Sequence, residues 1–164
     1  MKKIILIGLL LYATISFAEI PSINLIRNLY QKAPAEEKSC KKLIELLLPY
    51  NENNNPLLLG YKASGTMMMA KHAFNPLSKL SYFKKGKHML EIAIAADSKN
   101  IELRFLRFAV QTEIPSFLGY HDSIEIDKNF LLQSLPGLND IVLKGMIISC
   151  FKNADYLKNG ARQK

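Results

Sequence analysis

Apolar residues recur at three- and four-residue spacing through most of this chain, and no stretch alternates strictly between apolar and polar over a strand's length. That periodicity predicts an all-α fold, with asparagine, proline and glycine as punctuation. A first helix is expected from Ser22 to about Lys32, with Ile23, Ile26, Leu29 and Tyr30 inward. A second starts at Pro34, a favoured first helical position, and ends before Pro49, burying Leu43, Ile44, Leu47 and Cys40. The polar run Tyr50 to Asn55 reads as a loop. Asn55-Pro56 and Asn75-Pro76 each read as an N-cap followed by a proline in the first turn, opening helices to about Phe74 and to Ala96. The second of these has Leu80, Phe83, Leu90, Ala93 and Ile94 on its buried side. Asn100 caps a helix to about Thr112 whose apolar line is Leu103, Leu106 and Val110. Pro115 and Gly119 interrupt the pattern, so residues 114–120 form a short helical turn or an irregular link. Asp122, with Glu125 three residues on, has the outline of a capping box for a helix to about Leu135, and Asn139 caps the last helix, Asp140 to about Tyr156.

Ahead of this pattern stands a different one. Lys2 and Lys3 precede the apolar run Ile4 to Tyr12, and Ser16-Phe17-Ala18 places small residues where a signal peptidase inspects them. Residues 1–18 are therefore expected to be a removable signal peptide, and the protein to work in the periplasm or outside the cell. The apolar run is short for a bilayer span and no cysteine follows the small residues, so neither an integral membrane protein nor a lipoprotein is expected. The 146 residues that remain suit one helical domain, residues 19–157, with a flexible tail over 158–164.

Export changes the charge picture. The full chain carries 22 Lys+Arg against 14 Asp+Glu, and loss of Lys2 and Lys3 leaves a surplus of six. Between Asn53 and Leu90 there is no acidic residue, while Lys62, Lys71, Lys79, Lys84, Lys85 and Lys87 lie there. Any cationic patch belongs to this middle third. Outside the cytoplasm it would meet anionic lipid or acidic glycan rather than nucleic acid, and aromatic residues do not alternate with the lysines as a single-strand binder requires. Simple solvation of a helix face explains the same lysines.

The joints between helices look alike. Glu45 to Ala63 and Leu90 to Phe108 match at an offset of 45 residues, each running helix end, polar turn, asparagine, then two large residues, and Phe130 to Ser149 follows about 40 residues later. Such periods suggest stacked helical hairpins. Gly86, Leu90, Ala93 and the turn Asp97-Ser98-Lys99-Asn100 fall where the tetratricopeptide repeat family has a small residue, a large one, an alanine and Asp-Pro-x-Asn. Leu59-Gly60 and Tyr61 are similar to its Leu-Gly and aromatic positions. Over about a third of the chain the joint therefore resembles that family, although Ser98 stands in place of its proline and the pair from Pro56 to Ala96 is longer than its unit. The resemblance implies a short stack of antiparallel helix pairs with a concave face for a protein partner; a compact helical bundle is the alternative. The whole pattern also looks like a group of small exported bacterial helical proteins, which implies no activity.

Side chains with chemical potential are few. Met67-Met68-Met69 with His72 offers soft ligands for copper, but one helix face supplies only two or three, and packing as flexible core fillers is the reading taken for these methionines. His88 and Glu91 stand one helical turn apart with no third group, and neither a His-Glu-x-x-His nor a Gly-x-Ser-x-Gly pattern is present. Arg104 and Arg107, beside Phe105 and Phe108, are suited to clamp an anion or to pair with acids within the fold. The candidate anion or partner patch is thus Lys71, Lys79, Lys84, Lys85, Lys87, Arg104 and Arg107. Cys40 and Cys150 are the only cysteines, and export permits a bridge between them. No catalytic group, metal or cofactor is expected. The expected function is a non-enzymatic protein-binding or scaffold module, with a cationic envelope-surface protein as the alternative.

Overall fold

Four helices open on the same device: a short polar side chain accepts the N–H of a leucine three residues on. Ser22 takes Leu25 N (3.3 Å), Asn55 takes Leu58 N (3.0 Å), Asn100 takes Leu103 N (3.1 Å) and Asp140 takes Leu143 N (2.9 Å). Each bond satisfies one of the amides a helix start leaves unpaired. These details come from a computed structural model that describes the backbone of residues 20–161 and the side chains of residues 20–154. The expected signal peptide, residues 1–18, and the last three residues of the expected tail lie outside the described residues.

Among the described residues there are seven α-helices and no strand: α1 (Ile23–Lys32), α2 (Glu37–Leu46), α3 (Pro56–His72), α4 (Pro76–Ala96), α5 (Ile101–Glu113), α6 (Ile124–Ser134) and α7 (Ile141–Ala161). A 3-10 turn at Ser116–Leu118 links α5 to α6 and ends on Gly119, whose φ of +59° is the left-handed region that favours glycine. The all-α expectation holds, and α3, α4 and α5 begin where Asn55-Pro56, Asn75-Pro76 and Asn100 place them.

Three starts differ. The amides of Ala35 and Glu36 both bond the Lys32 carbonyl (3.1 and 3.0 Å), so Pro34 lies in a turn and α2 begins only at Glu37. Asp122 caps nothing; α6 opens after Ser123 without a side-chain cap. Asp140, not Asn139, caps α7, because Arg27 holds its carboxylate (3.1 and 2.8 Å) while it accepts Leu143 N. At its far end α7 continues through Ala161, past the expected fraying point at Lys158.

α3 has no polar face, as befits a helix enclosed by others. Leu58, Leu59, Tyr61, Ala63, Met67 and Met69 are all buried, and α1, α2, α4 and α5 pack around them. Contact with α4 is the most extensive, and Gly86 permits it: a Cβ there would stand 2.6 Å from the Ala63 carbonyl oxygen and 2.4 Å from Met67 Cγ. One main apolar cluster draws on all seven helices, from Ile26 and Leu43 through Leu90 and Leu106 to Leu131 and Ile147. Each fully covered leucine contributes about 2 kcal/mol relative to exposure. Arg27 ties the first helix to the last, so the seven helices close into a compact bundle.

Candidate functional site

Two buried ionic clusters decide which charges remain for an outside ligand. In one, Arg27 of α1 grips both oxygens of Glu102 on α5 (2.7 and 2.8 Å), and the Tyr61 hydroxyl of α3 donates to the same carboxylate. Glu102 and then Asp140 push the Arg27 pKa upward against the opposing effect of burial. In the other, Arg107 of α5 holds Asp127 of α6 through Nε and Nη2 (2.7 and 2.9 Å) and reaches Glu91 of α4 (2.9 Å), which also accepts the Tyr120 hydroxyl. Burial alone would lower the Arg107 pKa, but Asp127 and Glu91 together carry it above the ordinary arginine value. Arg104 adds a charge contact to Asp127 (2.5 Å), without the angle of a hydrogen bond, and lies over the Phe130 ring (5.1 Å).

The candidate anion patch therefore divides. Arg104 and Arg107 both face Asp127 inside the bundle, and Arg107 reaches Glu91 as well, which is the pairing with acids expected for them as the alternative to an anion clamp. Glu91 is spoken for by Arg107 and Tyr120, which dissolves the pairing with His88, itself exposed. Lys71 pairs with Glu113 (2.9 Å) and Lys87 sits over the Tyr120 ring (4.6 Å). Lys79, Lys84 and Lys85 are exposed and make no ion pair among the described residues. The three methionines diverge: Met67 meets Gly86 of α4, Met69 joins Ala33 and Cys40, and Met68 is only half-buried, while His72 bonds the Ala33 carbonyl (2.8 Å). They do not form a ligand set.

Both cysteines are free. Cys40 Sγ donates to the Gly65 carbonyl (3.1 Å) in the small second cluster, whereas Cys150 packs against the main one. Burial pushes each thiol up to about 11, so both stay protonated at neutral pH.

What remains open is a two-lobed groove along α5. Tyr30, Met68, Ala109 and Glu113 form a saddle shared by both lobes. The first lobe, about 540 Å³, lies between α1, α5 and α7 and mixes Phe105 and Met146 with polar Gln31, Thr112, Ser149 and Asn153. The second, about 560 Å³, lies between α3, α4, α5 and the turn after α5, with Met67, Leu80, Phe83, Val110, Ile114 and Leu118 in its wall. Such volumes suit small-molecule or peptide binding.

Two details of the saddle and first lobe are not required by packing. Gly145 lies inside α7 and lines the lobe, yet a Cβ there would meet nothing within 4 Å. The Tyr30 side chain is 7% exposed, touches Tyr61 and Phe105 edge to face, and its hydroxyl makes no hydrogen bond among the described residues. Burial raises its pKa, so it is a neutral donor at physiological pH.

Sequence reasoning missed these groups for identifiable reasons. Arg27 falls on the stripe Ile23, Ile26, Tyr30 of α1, so a charge on an inward face was the available signal for the first cluster. Gly145 interrupts a helical pattern with no break nearby, which was a signal too. Nothing in one sequence joins Tyr30 to Ala109 and Gly145. Among the described residues no group of three or more histidine, cysteine or acidic side chains is placed to hold a metal ion, and no helix is long and apolar enough to cross a membrane. No protein-family model, curated protein or solved structure matches this chain.

Proposed function

We propose that this is an exported, non-enzymatic binding module that docks a segment of a partner protein in the first lobe of the groove. The observation that carries the proposal is Gly145. A glycine inside a helix costs about 1 kcal/mol relative to alanine, and here no neighbour needs the space it leaves. A partner main chain crossing α7 would need it. Three other features support the reading. The unpartnered Tyr30 hydroxyl supplies a donor to a partner carbonyl, the polar groups of the lobe suit a polypeptide's hydrogen-bonding demands, and Ile141 and Val142, exposed at its end, offer apolar anchorage.

The test is peptide selection from a random library against the exported protein, followed by affinity measurement on Gly145→Trp and Tyr30→Phe. The tryptophan enters open space, so the fold should be retained while selected peptides lose at least tenfold in affinity; Tyr30→Phe should weaken them severalfold. Selected peptides that bind Gly145→Trp as well as wild type would place docking elsewhere and end the proposal.

A further inference from the structure

The second lobe differs from the first in what it can satisfy. Its wall is apolar apart from Tyr30, Lys71, Glu113 and Lys79, and Lys71 and Glu113 neutralise each other across α3 and α5. Lys79 lines the lobe from α4, is exposed and makes no ion pair among the described residues. A polypeptide entering here would bury backbone amides with almost nothing to receive them, at a cost of about 1–3 kcal/mol each. An acyl chain has no such groups. Met67 and Met68 supply flexible, polarizable walls that follow a chain of variable bend, and Leu80 (39% exposed) and Phe117 (83% exposed) leave an apolar margin where the lobe meets water. The one unpaired charge is positive.

We infer that this lobe binds a single-chain anionic amphiphile, its hydrocarbon tail between α3, α4 and α5 and its anionic head on Lys79. The two lobes share Tyr30, Met68, Ala109 and Glu113, but no residue of α7 enters the second lobe, so a change at Gly145 separates this inference from the docking proposal. The volume of about 560 Å³ accommodates one chain. The anionic head is shared by a free fatty acid and a lysophospholipid, and both are tested.

The experiment is calorimetric titration of the exported protein with saturated carboxylates of eight to fourteen carbons, held below their micelle concentrations, and with lysophosphatidylglycerol of matching tails. Affinity should rise about fourfold per added methylene until the lobe is full. An alkyltrimethylammonium of equal length should bind at least tenfold more weakly than the carboxylate, and Lys79→Glu, a surface change, should invert that preference. Binding of one anionic head group and not the other identifies the source and still supports the inference. Gly145→Trp should leave the amphiphile titration unchanged, so loss of peptide docking and loss of amphiphile binding are separate results. Absence of binding by both anionic series, no dependence on chain length, or an unchanged head-group preference in Lys79→Glu would overturn the inference.

Discussion

Gly86 and Gly145 are both helical glycines, and they make opposite demands. At Gly86 a Cβ would press on the Ala63 carbonyl, the Met67 amide nitrogen and Met67 Cγ at 2.4–2.9 Å, and the first two are backbone that cannot step aside without parting α3 from α4. Gly86→Ala is expected to cost about 2–3 kcal/mol despite its better helix propensity. Gly145→Ala meets open space and should gain about 1 kcal/mol from propensity alone. Urea melts of the two variants check both signs, and a stabilising Gly86→Ala would mean the helices are not held at this spacing. The sequence placed Gly86 at the small position of a repeat boundary, and it marked Gly145 only as a break in a helical pattern. The importance of Gly145 lies in what is absent around it, which no residue pattern displays.

At the scale of elements, the asparagine-proline pairs announced α3 and α4 because cap and proline act within one turn of chain. Starts that depend on distant partners were less legible. Asn139 and Asp140 are equivalent caps by local chemistry, and Arg27, 113 residues away, selects the aspartate. That pairing gives a pH dependence. The Arg27 hydrogen bond, then the Leu143 amide, hold the Asp140 carboxyl below the usual carboxylate range. Its folded pKa is therefore lower than its unfolded value of about 3.9, so its contribution is present above that value and is lost as pH falls through the folded pKa. Asp140→Asn keeps the cap and removes the charge. Wild type should exceed this variant by about 1 kcal/mol at neutral pH, discounted for the partial exposure of the carboxylate, and the gap should close below about pH 4. Thermal melts across that range decide it; a gap independent of pH would show that the charge contributes nothing.

For the whole molecule, the buried ions do what apolar periodicity cannot: they specify which helices meet. Arg27 and Glu102 join α1 to α5, Tyr61 adds α3, and Asp140 adds α7. Removing one partner strands the other. Arg27→Met leaves the Glu102 carboxylate, 5% exposed, with only the Tyr61 hydroxyl and should cost about 3–5 kcal/mol. Adding Glu102→Gln should recover much of that, since a neutral amide tolerates burial better. Denaturant midpoints of the single and double variants measure the coupling, and additive losses would mean that the pair is not the source of the cost. The sequence displayed seven helices and most of their inward faces, but it could not display closure, because closure depends on charges paired across 75 and 113 residues.

That separation also divides the groove. Every wall of the second lobe lies between Tyr30 and Leu118, whereas the first lobe needs α7. A change confined to the C-terminal helix therefore alters a wall of the first lobe and none of the second.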